Sequence, residues 1–194
     1  MTSATDTGQL WLVRHGETEW SRSGQHTSVT DLELTDDGEA VARTLAAPLA
    51  DVHFAQVLTS PRRRAVRTAE LAGFPDAEPD ENLAEWAYGD YEGLTSVQIH
   101  ETDPEWTIWT HPSPGGETAE QVGARLDRVV ARARATEGST LVFAHGHSLR
   151  VLAARWLGLD AVDGRIFDLD TATISVLGDD RGTPVVHRWN VATA

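Results

Sequence analysis

The chain has 194 residues, enough for one good core and expected to form a single domain over residues 1–194. It contains no cysteine and no lysine, all 16 basic residues being arginine, which excludes disulfides, thiolate nucleophiles, zinc–thiolate sites, Schiff-base chemistry and a P-loop lysine. The formal net charge of −14 argues against nucleic acid or an anionic membrane as partner, so any anion site must be a concentrated local exception.

No stretch approaches the ~20 consecutive apolar residues of a membrane span. The opening MTSATDTGQ has neither a basic start nor an apolar core, and a soluble, cytoplasmic protein is expected. Leu10 to Val13 then form the short apolar run of a buried strand, ended abruptly by Arg14, His15 and Gly16. Ligands of open α/β sheets bind beyond the carboxyl ends of the strands, so a cation, an imidazole and a glycine there form a plausible anion site. Ser21 to Leu34 is polar and turn-rich, a loop over that site. Thr35 reads as the N-cap of a helix carrying Ala40, Val41, Leu45 and Leu49, bent or stopped near Pro48.

Val57 and Leu58 belong to a second buried strand. Ser60-Pro61 reads as an N-cap and first helical residue, and the helix runs to Gly73. Arg62, Arg63, Arg64 and Arg67 crowd its first two turns. Arginine clusters are commonly solvated helix faces; these lie at a strand-to-helix turn in an acidic protein. Asn82 to Gly93 is aromatic and turn-rich, with Glu85 beside Trp86, and a partly desolvated carboxylate suits general acid work. Thr95 to Trp109 reads as one or two short helices, the second capped at Asp103-Pro104, and His111 to Gly116 as a loop. A long scaffold helix runs from Thr118 to Gly138.

Thr140 to Ala144 is a third buried strand, ending on His145-Gly146-His147, and Ser148 begins a helix through Leu157. Ala172–Leu177 and Val185–Trp189 flank GDDRGT, the pattern of a closing hairpin. Strands alternating with helices predict a three-layer α/β/α sandwich with a mostly parallel central sheet. If the three strands are neighbours, their ends bring two imidazoles and at least two guanidiniums into one pocket.

RHGETEW, SPRRRAVRTAE, Glu85 with YGDYEG, and AHGHSLR together resemble the histidine phosphatase superfamily, also called phosphoglycerate mutase-like, and its small acid-phosphatase branch in particular. The resemblance runs from Leu10 to about Leu157 with four motifs in the family's order. It implies that His15 is the nucleophile that becomes phosphohistidine, that Arg14, Arg64 and His145 bind phosphoryl oxygens, and that Glu85 protonates the leaving oxygen. Arg64 is singled out because the family frames its second phosphate-binding arginine as R-A-x-x-T-A, here RAVRTA. Gly146 would border the phosphate, and Gln25, Tyr88 and His111 are candidate substrate contacts. Ser21 is another, at a position where many members carry asparagine.

The implied reaction is hydrolysis of a small phosphorylated metabolite, a sugar phosphate or phosphorylated organic acid, with no cofactor and no metal. Arginines at the site suit it, since a rigid guanidinium fork matches the equatorial oxygens of a phosphoryl group in transfer. Three alternatives stand beside it: a cofactor-dependent phosphoglycerate mutase, a non-catalytic phospho-ligand-binding module on the same fold, and a metallophosphatase using His145 and His147. The last lacks a D-x-H or H-E-x-x-H cluster for its other ligands. The stretch from Glu85 to His145 has room for little beyond two short helices, a loop and the scaffold helix, which favours hydrolysis over a mutase. Seven tryptophans could serve core, lid or a homodimer interface.

Overall fold

A computed structural model describes residues 8–193. The reading of a leaderless N-terminus rests largely on residues 1–7, which lie outside the described residues. The strands are β1 (Leu10–Arg14), β2 (Phe54–Thr59), β3 (Glu78–Pro79), β4 (Ser139–Ala144), β5 (Ile174–Asp180) and β6 (Thr183–Val191). The helices are α1 (Glu19–Ser23), α2 (Asp36–Thr44), α3 (Ala46–Ala50), α4 (Arg63–Leu71), α5 (Ser96–His100), α6 (Ala119–Ala135) and α7 (Gly146–Trp156).

The six strands form one sheet in the order β3-β2-β4-β1-β5-β6. β1, β2, β3 and β4 pair in parallel, and β5 and β6 close the other edge antiparallel. Strand alternation divides the core in two: Leu10 and Leu12 of β1 pack with Leu126 of α6 and Leu152 of α7, while Trp11 and Val13 pack with Ala42, Leu49 and Ala69 of α2, α3 and α4. That is the expected three-layer sandwich. Its consequence for function lies in the register: Arg14 pairs with Ala144, and Thr59 with Phe143, so the three parallel strands end level. The next residues, His15, His145 and Ser60, therefore emerge side by side with His145 in the middle.

Several local expectations differ from the structure. The loop after β1 contains α1, closed by a reciprocal capping box between Thr18 and Ser21 and stopped by Gly24 at φ 76°. The second helix breaks at Leu45, and Pro48 sits in the first turn of α3, where a missing N–H costs nothing. Ser60 does not cap α4: the helix starts later, with Arg62 as its N-cap, and the Ser60 hydroxyl accepts from His145 Nε2 at 2.7 Å and from the Arg62 N–H at 3.4 Å. α7 begins at Gly146, two residues before Ser148. Residues 102–111 form turns in place of a second short helix, and the two-residue β3 carried no sequence signal.

The turn after β1 crosses α2 at backbone contact. A Cβ at Gly16 would lie 2.7 Å from the Gly38 carbonyl oxygen, and one at Gly38 would lie 2.2 Å from the Glu17 carbonyl oxygen. Two glycines thus let the chain beyond β1 press against the N-terminus of α2. Gly38→Ala should destabilise the protein by about 1–3 kcal/mol through overpacking. Urea unfolding measures this, and an unchanged midpoint would mean that the crossing is looser than these contacts require.

Candidate active site

His15 lies just beyond β1, and its N–H bonds the carbonyl of Ala144 on the neighbouring strand at 2.9 Å. The side chain is 5% exposed. Its Nδ1 lies 2.7 Å from the Gly16 carbonyl oxygen, which can only accept, so Nδ1 carries the proton and Nε2 of the neutral ring keeps its lone pair. Burial pushes the His15 imidazole well below its ordinary value, and the charges of Arg64 and Arg14 push it further.

His145 stands at the end of β4, fully buried, its ring centroid 5.1 Å from that of His15. The Arg64 Nε donates to His145 Nδ1 at 3.2 Å, so the ring proton sits on Nε2 and is donated to the Ser60 hydroxyl at 2.7 Å. Burial, then Arg64, His15, Arg14 and Arg62, hold His145 well below the usual imidazole range. Arg64 is itself fully buried, its remaining bonds running to the carbonyls of Thr27, Ser28 and Thr30. Neither Arg64 nor His145 lines the open cleft; they form the layer beneath it.

The cleft encloses about 200 Å³. His15, Arg14, Glu85, Gly146, Ser21, Gln25 and Tyr88 border it, as do Thr18, Gly24, His26, Thr27, His147, Arg150 and Leu169. Arg14 donates through Nη1 to the Leu169 carbonyl, while its Nε is buried without a partner. A guanidinium that lines the same cleft as His15 suits an anion. A Cβ at Gly146 would lie 3.3 Å from the Arg14 guanidinium carbon, so glycine lets the fork lie flat on the start of α7.

Glu85 is 8% exposed and faces the N-terminus of α7. Its Oε1 accepts from the N–H groups of Trp86 at 2.9 Å and Ser148 at 2.8 Å, and its Oε2 from that of His147 at 3.1 Å. Arg125 of α6 fixes the backbone of this segment through the carbonyls of Asn82, Ala84 and Glu85. The carboxyl group is therefore held by main-chain donors, with Oε2 the less occupied oxygen.

Other candidate contacts fare differently. Ser21 borders the cleft, but its hydroxyl is taken up by Thr18 of the capping box. Gln25 likewise donates its amide N–H to the Gly93 carbonyl, and its side-chain oxygen accepts from the Ser23 hydroxyl. The Tyr88 hydroxyl shares a 2.6 Å bond with His147 Nδ1, and burial, then Glu85, raises the phenol well above its ordinary value. His111 is a correction: it is exposed and absent from the cleft lining, because its turn closes on Thr107 and its ring bonds Thr110. Among residues not foreseen, Arg150 lies one helical turn after His147, a spacing that could have revealed it. Leu169 carried no such signal.

A family model described as histidine phosphatase superfamily (branch 1) matches residues 10–192. An acid phosphatase of Mycobacterium tuberculosis is 43% identical over 178 residues, covering 90% of this chain and 88% of its own. A sedoheptulose 1,7-bisphosphatase of Saccharomyces cerevisiae is 40% identical over 181 residues, covering 76% and 67%. A 2,3-bisphosphoglycerate-dependent phosphoglycerate mutase of Chelativorans is 32% identical over 202 residues, covering 94% and 93%. The solved structure of a Mycobacterium tuberculosis open reading frame product superposes with a TM-score of 0.93 at 40% identity, covering 96% of this chain and 99% of that one.

The depressed imidazoles make a pH prediction. A histidine whose pKa is lowered stays neutral further into acid, so His15 and His145 should not titrate between about pH 8 and pH 6. Ring-proton NMR with assignments from His15→Asn and His145→Asn checks this. A midpoint at or above the ordinary value for either ring would contradict the burial of the pair.

Proposed function

The chain belongs to the histidine phosphatase superfamily, and from that premise we propose that it is a phosphomonoesterase of small phosphorylated metabolites working through phosphohistidine at His15. The observation that carries this reading is the His15 tautomer: the Gly16 carbonyl holds the Nδ1 proton and leaves Nε2 bare on a ring that lines the cleft together with Arg14.

In the first step Nε2 attacks phosphorus in line, the bond from phosphorus to the ester oxygen breaks, and Glu85 gives its proton to the departing alkoxide. In the second, water attacks the phosphohistidine, its proton passes to the Glu85 carboxylate, and the P–N bond breaks to release inorganic phosphate and neutral His15. Arg14 contacts the phosphoryl oxygens directly. Arg64 and His145 act from below: the buried Arg64 charge favours an anion above it, and the closely packed His145 keeps His15 in place. Each preorganised donor of this kind is worth about 3–4 kcal/mol in the transition state. With charge neutralised by guanidinium, the reaction needs no metal.

A phosphoglycerate mutase remains the second reading, because a relative bearing that name aligns over 94% of this chain and 93% of its own length. The higher identity to an acid phosphatase supports hydrolysis.

Rapid quenching after mixing with a labelled phosphomonoester should trap an acid-labile, base-stable phosphoryl group on the His15 peptide, absent in His15→Ala. Label on serine or threonine, or full activity of the alanine variant, would sink the mechanism. Activity should survive EDTA; loss on chelation and recovery with added metal would revive the metallophosphatase. Phosphate release from a generic phosphomonoester should exceed interconversion of 2- and 3-phosphoglycerate on the same preparation. If isomerisation is about tenfold the faster, equivalent to roughly 1.4 kcal/mol in barrier, the mutase reading replaces this one.

A further inference from the structure

Arg64 is a buried cation whose side-chain partners, among the described residues, are carbonyls and one imidazole, with no carboxylate bonded to it. Three of those partners, the carbonyls of Thr27, Ser28 and Thr30, belong to one loop. That loop is held from its other side by Glu92. Glu92 Oε1 accepts from the N–H groups of Ser28 at 2.9 Å and Thr30 at 3.0 Å, and Oε2 accepts from the Ser28 N–H at 3.0 Å and from the Ser28 hydroxyl.

The Thr27 carbonyl and the Ser28 N–H are the two ends of a single peptide unit, and in a trans peptide they point in opposite directions. The unit is thus clamped between a carboxylate on its N–H side and a guanidinium 3.3 Å from its oxygen. Its dipole, positive at N–H and negative at C=O, is aligned with both charges. Burial works against ionising Glu92, and the hydrogen bonds from Ser28 and Thr30 outweigh it, so the carboxyl is held below its ordinary value. Its oxygens serve only residues 28 and 30 among its described hydrogen bonds. Thr27, at the head of the clamped loop, also forms part of the cleft wall.

We infer that Glu92 is a positioning residue of the phosphoryl site, acting through the Thr27–Ser28 peptide to fix the Arg64 guanidinium against His145. The inference rests on the phosphatase reading above, in which Arg64 supplies the buried charge. Glu92 acts through the loop rather than by direct charge, because the carboxylates whose charge Arg64 feels most are Glu85 and Asp31. Removing the Glu92 carboxylate frees the loop, and Arg64 loses the carbonyl frame that holds its Nε on His145 Nδ1. Without Arg64 there is nothing for Glu92 to position.

A double-mutant cycle tests this, with kcat on an aryl phosphomonoester and the affinity for vanadate as readouts and melting temperature as the folding control. Arg64→Ala should lower kcat about 100-fold and Glu92→Ala about 10- to 100-fold, while the double variant should match Arg64→Ala within about threefold. Glu92→Gln keeps a carbonyl oxygen for both N–H groups and should recover activity to within about fivefold of the parent. Losses that multiply in the double variant, or failure of Gln to rescue, would overturn the inference and reduce Glu92 to a general structural role. If Glu92→Ala does not fold, Glu92→Asp carries the same cycle. It keeps the charge but is one methylene short, and its loss should likewise vanish in the Arg64→Ala background. Parent-level activity of the Glu92 variants with Arg64→Ala impaired would overturn the inference alone, whereas parent-level activity of Arg64→Ala would remove the phosphoryl-site reading beneath it.

Discussion

A fully buried guanidinium is the constraint around which this molecule is arranged. Arg64 has no contact with solvent, and an unpaired charge in that position would cost several kcal/mol. Its charge is met by three carbonyls of the 27–30 loop and by His145, which in turn is fixed by Ser60. Partners of this kind satisfy hydrogen bonds without cancelling charge. Burial first, and the field of this guanidinium second, depress both imidazoles, and the same field makes the space above them attractive to an anion.

That local field operates inside a protein of net charge −14. At long range the molecule repels phosphorylated metabolites, and within a Debye length of about 8 Å the buried guanidiniums dominate. Two arginines next to Arg64 on the same helix, Arg63 and Arg67, are paired with Asp31, Glu33, Glu39 and Glu70. Arg14 differs in lining the cleft with His15, its Nε without a partner. Surface carboxylates thus neutralise these two arginines, while Arg14 and Arg64 keep their charge at the site.

Glu85 and His15 come from different kinds of structure and are held by different means. His15 is set by the end of a strand and the carbonyl next to it, so its geometry is that of the sheet. Glu85 lies on an irregular segment and depends on others: Arg125 anchors its backbone, and the first turn of α7 receives its oxygens. Each of the two groups is held by neighbours other than the groups proposed to react, so both enter the cleft already oriented.

The strand ends were legible in the sequence because a buried parallel strand is a short apolar run, and the residues directly after it must leave the sheet at the ligand-bearing edge. Arg14, His15 and His145 could therefore be picked out, and four motifs in order named the family. Other features depended on partners distant in sequence. Ser21 and Gln25 are polar residues at the right place whose groups are already taken, by Thr18 and by Gly93. His111 lies in a loop whose own turn sends it to solvent, while Arg150 and Leu169 reach the cleft only because α7 and the later chain pack against β1. Local pattern fixes which residue types stand at a strand end. Whether a polar atom is free for substrate is decided by long-range hydrogen bonds, which form only when the whole sheet has closed.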